Sequence, residues 1–151
     1  MKEIILSAGI TAILGIFAFL FSQIYFKSIV RFKELKARTV HALVYYENVY
    51  HNPIDLAKMP DRKLPEGYEK ASDELRKLAA DWIALIELRT KPRFFIPRNS
   101  KLREVSSNLI RLCNGMTYPY NSINSIDYYR IENNIKSVTN IKRLLKIYNK
   151  S

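Results

Sequence analysis

From Ile4 to Phe26 the chain runs for 23 residues without a single charge. At about 1.5 Å of rise per residue, a helix of that length reaches about 35 Å. A bilayer's hydrocarbon core is about 30 Å thick, so the run is long enough to cross it with some tilt. Isoleucine, leucine and phenylalanine dominate the run and outweigh Ser7, Thr11, Ser22 and Gln23, because each favours the membrane centre by about 0.3–0.6 kcal/mol. The expectation is a retained transmembrane helix over residues 1–27 and one further domain over residues 28–151. A cleaved signal peptide is the alternative. Its apolar stretch is shorter and ends at a small-x-small site, which Phe19 through Phe26 do not offer.

The charges beside the run set its direction. Lys27, Arg31, Lys33, Lys36 and Arg38 come after it, offset only by Glu34, whereas Lys2 and Glu3 alone precede it. Basic residues close to a span stay on the cytoplasmic side, so the amino terminus is expected outside and the remainder inside, in a cell inner membrane. The single Cys113 forms no internal disulfide, which gives no sign of an oxidising compartment.

The residues beyond the anchor suffice for one small domain. The chain carries a formal charge of +11, and Arg98 to Lys150 alone hold ten Lys or Arg against Glu104, Asp127 and Glu132. A domain of that sign can lie on anionic lipid headgroups or bind a nucleotide, a nucleic acid or another phosphorylated ligand, beside the plain reading of a solvated basic surface. Arg111, Arg130, Lys136, Lys142, Arg143 and Lys146 are the candidate contacts.

Apolar spacing predicts an all-α fold. Ile29, Phe32, Leu35, Val40, Leu43, Tyr46 and Tyr50 recur at steps of three to five, so the anchor should run on as one helix to about His51, where Asn52-Pro53 breaks it. A prolyl loop leads on to Gly67, then a helix over Tyr68–Thr90 with Ala71, Leu75, Leu78, Trp82, Leu85 and Ile86 inward. Asn99 or Ser100 is expected to cap a third helix carrying Leu102, Val105, Leu109, Leu112 and Met116, which Gly115 closes. A fourth, over about Ser125–Tyr148, should turn Ile126, Tyr129, Ile135, Val138, Ile141, Leu145 and Tyr148 inward. No segment reads as a strand. Short connections favour antiparallel neighbours, hence a cytoplasmic helical bundle built partly on the extended anchor helix.

Ser7, Thr11 and Gly15 recur every four residues inside the run, and Ser22 continues that side. Small residues at this spacing let helix backbones approach, which points to pairing with copies of the chain or with a partner's span, although such residues are common in spanning helices. Lys27, Arg31, Lys33, Lys36, Phe94 and Phe95 are expected at the membrane interface. For Phe94-Phe95, a plain packed connector competes with that reading, and single-stranded nucleic acid ranks behind both. The tyrosines of Val44–Pro53 suit a core whose hydroxyls reach partners better than base stacking.

Catalytic chemistry finds little purchase. His41, His51 and Cys113 lack the clustered spacing of a zinc site, and Cys113 falls on the apolar stripe as an inert thiol would. A His–Cys pair assembled in space remains open to spacing alone. There is no phosphate-binding glycine loop, nucleophile elbow or paired-acid motif, and no metal or cofactor is called for.

Two stretches, Ala42-Leu43-Val44-Tyr45-Tyr46-Glu47-Asn48-Val49-Tyr50-His51-Asn52-Pro53 and Leu109-Ile110-Arg111-Leu112-Cys113-Asn114-Gly115-Met116, resemble a group of small bacterial proteins with one amino-terminal span and a helical cytoplasmic region. The resemblance implies that topology and a bacterial inner-membrane setting. It carries over no activity and no functional residues.

The leading expectation is a non-enzymatic, single-pass membrane effector or adaptor that oligomerises through its span and answers a cytoplasmic signal or partner. Architecture alone suggests bacterial antiviral defence by membrane disruption. The second is a membrane-anchored sensor that binds an anionic ligand through its basic carboxyl-terminal half. An enzyme on a tether is third.

Overall fold

The structure is a computed structural model that describes residues 2–56, 59, 63–88, 96–118 and 126–147; within these, the side chains of residues 2–8, 21, 23–25, 118, 126 and 127 are not described. Helix α1 spans Lys2–Tyr45 and α2 spans Glu47–His51. After them come α3 (Glu66–Glu87), α4 (Asn99–Gly115) and α5 (Ile126–Leu144). Among the described residues the fold is all-α but for one small feature that apolar spacing does not announce. The two-residue strands β1 (Ile54–Asp55) and β2 (Thr117–Tyr118) pair in parallel, Ile54 opposite Thr117.

Continuity between the apolar run and the domain is as expected. Helix α1 passes unbroken from the uncharged stretch into residues that pack in the core, namely Leu35, Thr39, Ala42 and Leu43. A turn at Tyr46 precedes the short α2, and Pro53 forbids further helix. Helix α3 packs on both α1 and α4, and α4 packs on α5. The core gathers where these meet, around Trp82, Leu75, Leu78, Leu102, Leu109 and Ile141. Trp82 meets Phe32 edge-on at 5.8 Å between ring centres, and its indole N–H donates to Thr39 Oγ1 at 3.1 Å. Thr39 Oγ1 in turn donates to the Leu35 carbonyl at 2.7 Å, so a buried hydroxyl holds the indole to α1.

Of two expectations about helix ends, one changes and one holds. Arg98, not Asn99 or Ser100, occupies the position before α4, without a side-chain capping bond. Gly115 is the last residue of α4, and no glycine has a positive φ. Its lack of a side chain serves close approach instead, because a Cβ there would lie 2.9 Å from Asn134 Cγ and closer still to Asn134 Oδ1.

Helix α5 is turned relative to its expected face. Val138, Ile141 and Leu145 are buried as the spacing predicts, but Tyr129 and Ile135 are 67 % and 43 % exposed. Asn134 and Ser137 take inward positions in their place. The reason is local. Asn134 Nδ2 donates to the Tyr50 carbonyl at 2.8 Å and to the Gly115 carbonyl at 3.2 Å, closing groups that an aliphatic side chain would leave unpaired. Ile126 and Tyr148 lie outside the described side chains.

Past its last turn α5 ends in paired bonds, Lys146 N–H to Arg143 O at 3.2 Å and Ile147 N–H to Lys142 O at 2.8 Å. That Schellman arrangement puts Lys146 at φ 50°. The Lys146 carbonyl accepts from Lys36 Nζ at 3.2 Å, tying this end of α5 to α1.

Among the described residues no helix is long and apolar enough to cross a membrane. The uninterrupted described side chains of the leading run cover residues 9–20, short of the ~20 residues a span needs, and the rest of the run falls partly on side chains that are not described. Ile10, Ile13, Leu14, Ile16, Phe17, Phe19 and Leu20 are all exposed.

Candidate functional site

Helix α4 turns two faces to two neighbours. Its apolar stripe of Leu102, Val105, Leu109 and Leu112 is fully buried. A second stripe, Asn108, Arg111 and Gly115, recurs at steps of three and four and so shares one side of the helix. Helix α5 answers with Arg130, Asn133, Asn134, Ser137 and Asn140 at the same period. Between the two stripes lies a cleft of about 680 Å³, also lined by Asn114, Tyr129 and Lys136. That size suits a small organic ligand, for which pockets run from about 300 to 1,000 Å³.

Its chemistry is one-sided. Arg111, Arg130 and Lys136 line it, and no carboxylate does among the described residues. Cations lining one concave surface focus a positive potential that attracts anions. Arg130 is held in place by a bond from Nη1 to the Thr117 carbonyl at 2.7 Å, at the strand that pairs with β1. Arg111 and Lys136 are exposed on opposite helices. The floor is amide-rich: Asn108 and Asn134 are each 2 % exposed.

Three of the six basic candidates therefore come together, and three do not. Lys142, Arg143 and Lys146 sit farther along α5 and do not line the cleft. Arg143 Nη2 donates to Asn140 Oδ1 at 3.3 Å, and Lys146 forms the helix terminus. Basic spacing found the cations, but nothing in charge counting singled out Asn108, Asn134 or Ser137. The available signal was a polar residue at a position where the apolar period of a helix expects an aliphatic one.

Of the interface residues, Lys27, Arg31 and Lys33 are exposed along α1, and Lys36 is half-buried against the end of α5. Phe94 and Phe95 lie outside the described residues. Of the small residues in the leading run, Thr11, Gly15 and Ser22 are exposed, and the Ser7 side chain is not described.

Among the tyrosines Tyr46 and Tyr50 are buried as the core reading expects, whereas Tyr45 is exposed. Tyr46 Oη donates to Glu74 at 2.7 Å and Tyr50 Oη to the Leu43 carbonyl at 2.9 Å. Burial first, then the Glu74 hydrogen bond and charge, push Tyr46 up to about 12. Burial and then the Glu47 charge push Tyr50 up to about 12.

Cys113 is buried, in contact with Ser72 Oγ at 2.9 Å and with Arg76 Nε, which donates to it at 3.1 Å. The histidines take other partners, His41 stacking on Tyr45 and His51 tilting over Tyr50. A His–Cys pair is thus not assembled. Among the described residues no three His, Cys, Asp or Glu side chains gather as a metal site would require. No protein-family model matches the chain, and neither a curated protein nor a solved structure shows significant similarity to it.

Proposed function

We propose that this chain is a membrane-anchored sensor whose α4–α5 cleft binds an anionic ligand. The observation that carries the reading is one cleft lined by Arg111, Arg130 and Lys136 and, among the described residues, by no carboxylate. Arg111 and Lys136 hold their charges exposed at the cleft, where an anion can pair with them. Arginine adds a planar fork of donors that matches phosphate or carboxylate oxygens in pairs, and lysine adds a point charge.

The anchor is supported by the leading helix, whose large apolar side chains are exposed around its circumference. A helix that is apolar all round belongs in a core or in lipid. Lys27, Arg31 and Lys33 then put the domain on the cytoplasmic side of an inner membrane. Because α1 is one continuous helix, a shift at α5 has a stiff route toward the bilayer through Asn134, Tyr50 and Leu43. Pairing of the leading helix through Ser7, Thr11, Gly15 and Ser22 is the output this sensor would control, making the effector reading its second half. A Cβ added at Gly9 or Gly15 would meet nothing within 4 Å, so the backbone there is open to a neighbouring helix.

Calorimetric titration of the detergent-solubilised full chain with pyrophosphate tests the cleft. Binding should weaken steadily with salt, and Arg111→Gln with Lys136→Gln should weaken it about tenfold or more. Lys142→Gln with Arg143→Gln removes the same charge outside the cleft and should leave affinity unchanged. Equal losses from both pairs, or no binding by the parent chain, would overturn the proposal.

A further inference from the structure

Side-chain pairs fix which end of the domain lies nearest the uncharged run. Trp82 reaches both Phe32 and Thr39, Arg38 donates to Asp81 at 2.8 Å and Tyr46 to Glu74, so α3 runs antiparallel to α1. Arg103 Nη2 donates to Glu87 at 3.0 Å and Ser106 Oγ to the Ala79 carbonyl at 2.9 Å, so α4 turns back along α3. Lys36 Nζ on the Lys146 carbonyl brings the last turn of α5 to the same level. The end of α3, the start of α4 and the end of α5 therefore share the end of the domain that faces Phe26.

That end is basic. Arg31, Lys33, Arg98, Lys101 and Lys146 are all exposed there. The carboxylates beside them are Glu34, Glu104 and Glu87, and Glu87 is already paired with Arg103. At the opposite end Glu47, Glu66, Glu69 and Asp73 are exposed and offset the local cations, Lys70 pairing with Glu66. Leu88 follows the last residue of α3 and is 66 % exposed. An apolar tip among cations suits a membrane interface, where leucine enters the acyl boundary and Arg or Lys meets anionic headgroups. The spacing agrees. Arg31 lies five residues beyond Phe26, about 7.5 Å along a helix. A headgroup layer is about 5–8 Å thick on each side of the hydrocarbon, so a helix leaving it near Phe26 brings this face to the headgroups.

We infer that this end of the domain docks on anionic lipid headgroups. Arg31, Lys33, Arg98, Lys101 and Lys146 meet the phosphates, and Leu88 rests at the acyl boundary. The docking rests on the reading of the leading helix as a membrane anchor and is independent of what the cleft binds. It adds a second, electrostatic hold that fixes how the domain stands on the bilayer.

The test reconstitutes the full chain in vesicles of phosphatidylcholine alone and of phosphatidylcholine mixed with phosphatidylglycerol. A fluorophore is attached at Leu88→Cys, the native Cys113 being buried, and headgroup spin-labelled lipid quenches it on contact. The quenched fraction should be larger on the anionic vesicles and fall toward the neutral value as salt rises. Each basic residue near an anionic surface is worth about fivefold in such an equilibrium, so Arg98→Gln with Lys101→Gln should weaken docking about tenfold or more. Lys70→Gln with Lys77→Gln removes the same charge farther from this end and should change nothing. A fluorophore at Val44→Cys, exposed near the far end of α1, should escape quenching on both kinds of vesicle. Equal quenching at Leu88→Cys on neutral and anionic vesicles, stronger quenching at Val44→Cys, or equal losses from the two pairs of substitutions would overturn the docking and leave the anchor in place. A parent chain that carbonate strips from the vesicles would remove the anchor and the docking together.

Discussion

Asn134 lies against Gly115 with no room for a methyl group between them, and the same side chain bonds the Gly115 and Tyr50 carbonyls. Gly→Ala within a helix ordinarily gains up to about 1 kcal/mol. Here it displaces Asn134 and strands two carbonyls, at about 1–3 kcal/mol for a buried unpaired group. Gly115→Ala is therefore expected to destabilise the domain by about 1–2 kcal/mol, seen as a lower thermal midpoint by circular dichroism. Asn134→Ala should cost less in the Gly115→Ala background than in the parent, because the first substitution already breaks the contact. Additive losses would mean that Asn134 and Gly115 act separately.

Thr39 offers a second case of a buried polar group in a structural role. It is fully buried, accepts from Trp82 Nε1 and donates to the Leu35 carbonyl. Thr39→Val keeps the shape and leaves the indole N–H without an acceptor, at a cost of about 1–3 kcal/mol. Trp82 is the only tryptophan, so its fluorescence reports this environment alone. The variant should unfold at lower temperature with a shifted emission maximum. An unchanged spectrum and midpoint would show that the hydroxyl contributes nothing.

These two pairs also mark where the sequence was legible. Periodicity located every long helix, and Leu75, Leu78, Trp82, Leu102, Leu109 and Leu112 are buried as their spacing requires. It misplaced Tyr129 and Ile135, since it treats any large apolar residue as inward and any asparagine as outward. Asn134 reverses that rule because its partners are backbone carbonyls of α2 and α4, distant in sequence and invisible to local pattern. The strand pair has the same origin: Ile54 and Thr117 are distant in sequence, with α3 and α4 lying between them in the chain. For the site, charge counting found Arg111, Arg130 and Lys136 but could not separate them from Lys142, Arg143 and Lys146, because which cations share a cleft depends on how α5 is turned.

Tyr46 and Tyr50 set a prediction for alkaline stability. Both titrate near 12 in the folded chain, whereas an unfolded tyrosine titrates near 10. Between about pH 10 and 12 the unfolded chain therefore binds fewer protons, and stability falls as pH rises. Below about pH 9 neither residue contributes a slope. Thermal midpoints measured across this range should decline less steeply for Tyr46→Phe and Tyr50→Phe than for the parent. Parallel curves would place the alkaline loss on other groups, the lysines foremost.

Lys146 occupies the left-handed position that closes α5, with φ at 50°. A side chain there crowds the backbone, and glycine is free of that cost, which amounts to about 1 kcal/mol. Lys146→Gly should raise the thermal midpoint, since the Lys36 bond is to the backbone carbonyl and survives the change. Lys146→Ala keeps a Cβ and should give no gain. A stabilisation shared by both variants would trace to charge removal instead.

The leading helix can be tested at its exposed apolar residues. Ile13 and Phe17 lie one turn apart and are 56 % and 68 % exposed. If lipid covers them, each lysine placed there costs about 2.5–3.5 kcal/mol near the bilayer centre. Ile13→Lys with Phe17→Lys should then shift the chain from the carbonate-resistant membrane pellet toward the extracted fraction. Val44→Lys changes an equally exposed residue of the same helix beyond the uncharged run and should leave fractionation as it was. Extraction of the parent chain by carbonate would mean that these side chains are covered by protein rather than lipid. The apolar sleeve around α1 would then mark an interface with another chain, and the basic residues after it would lose their bearing on topology.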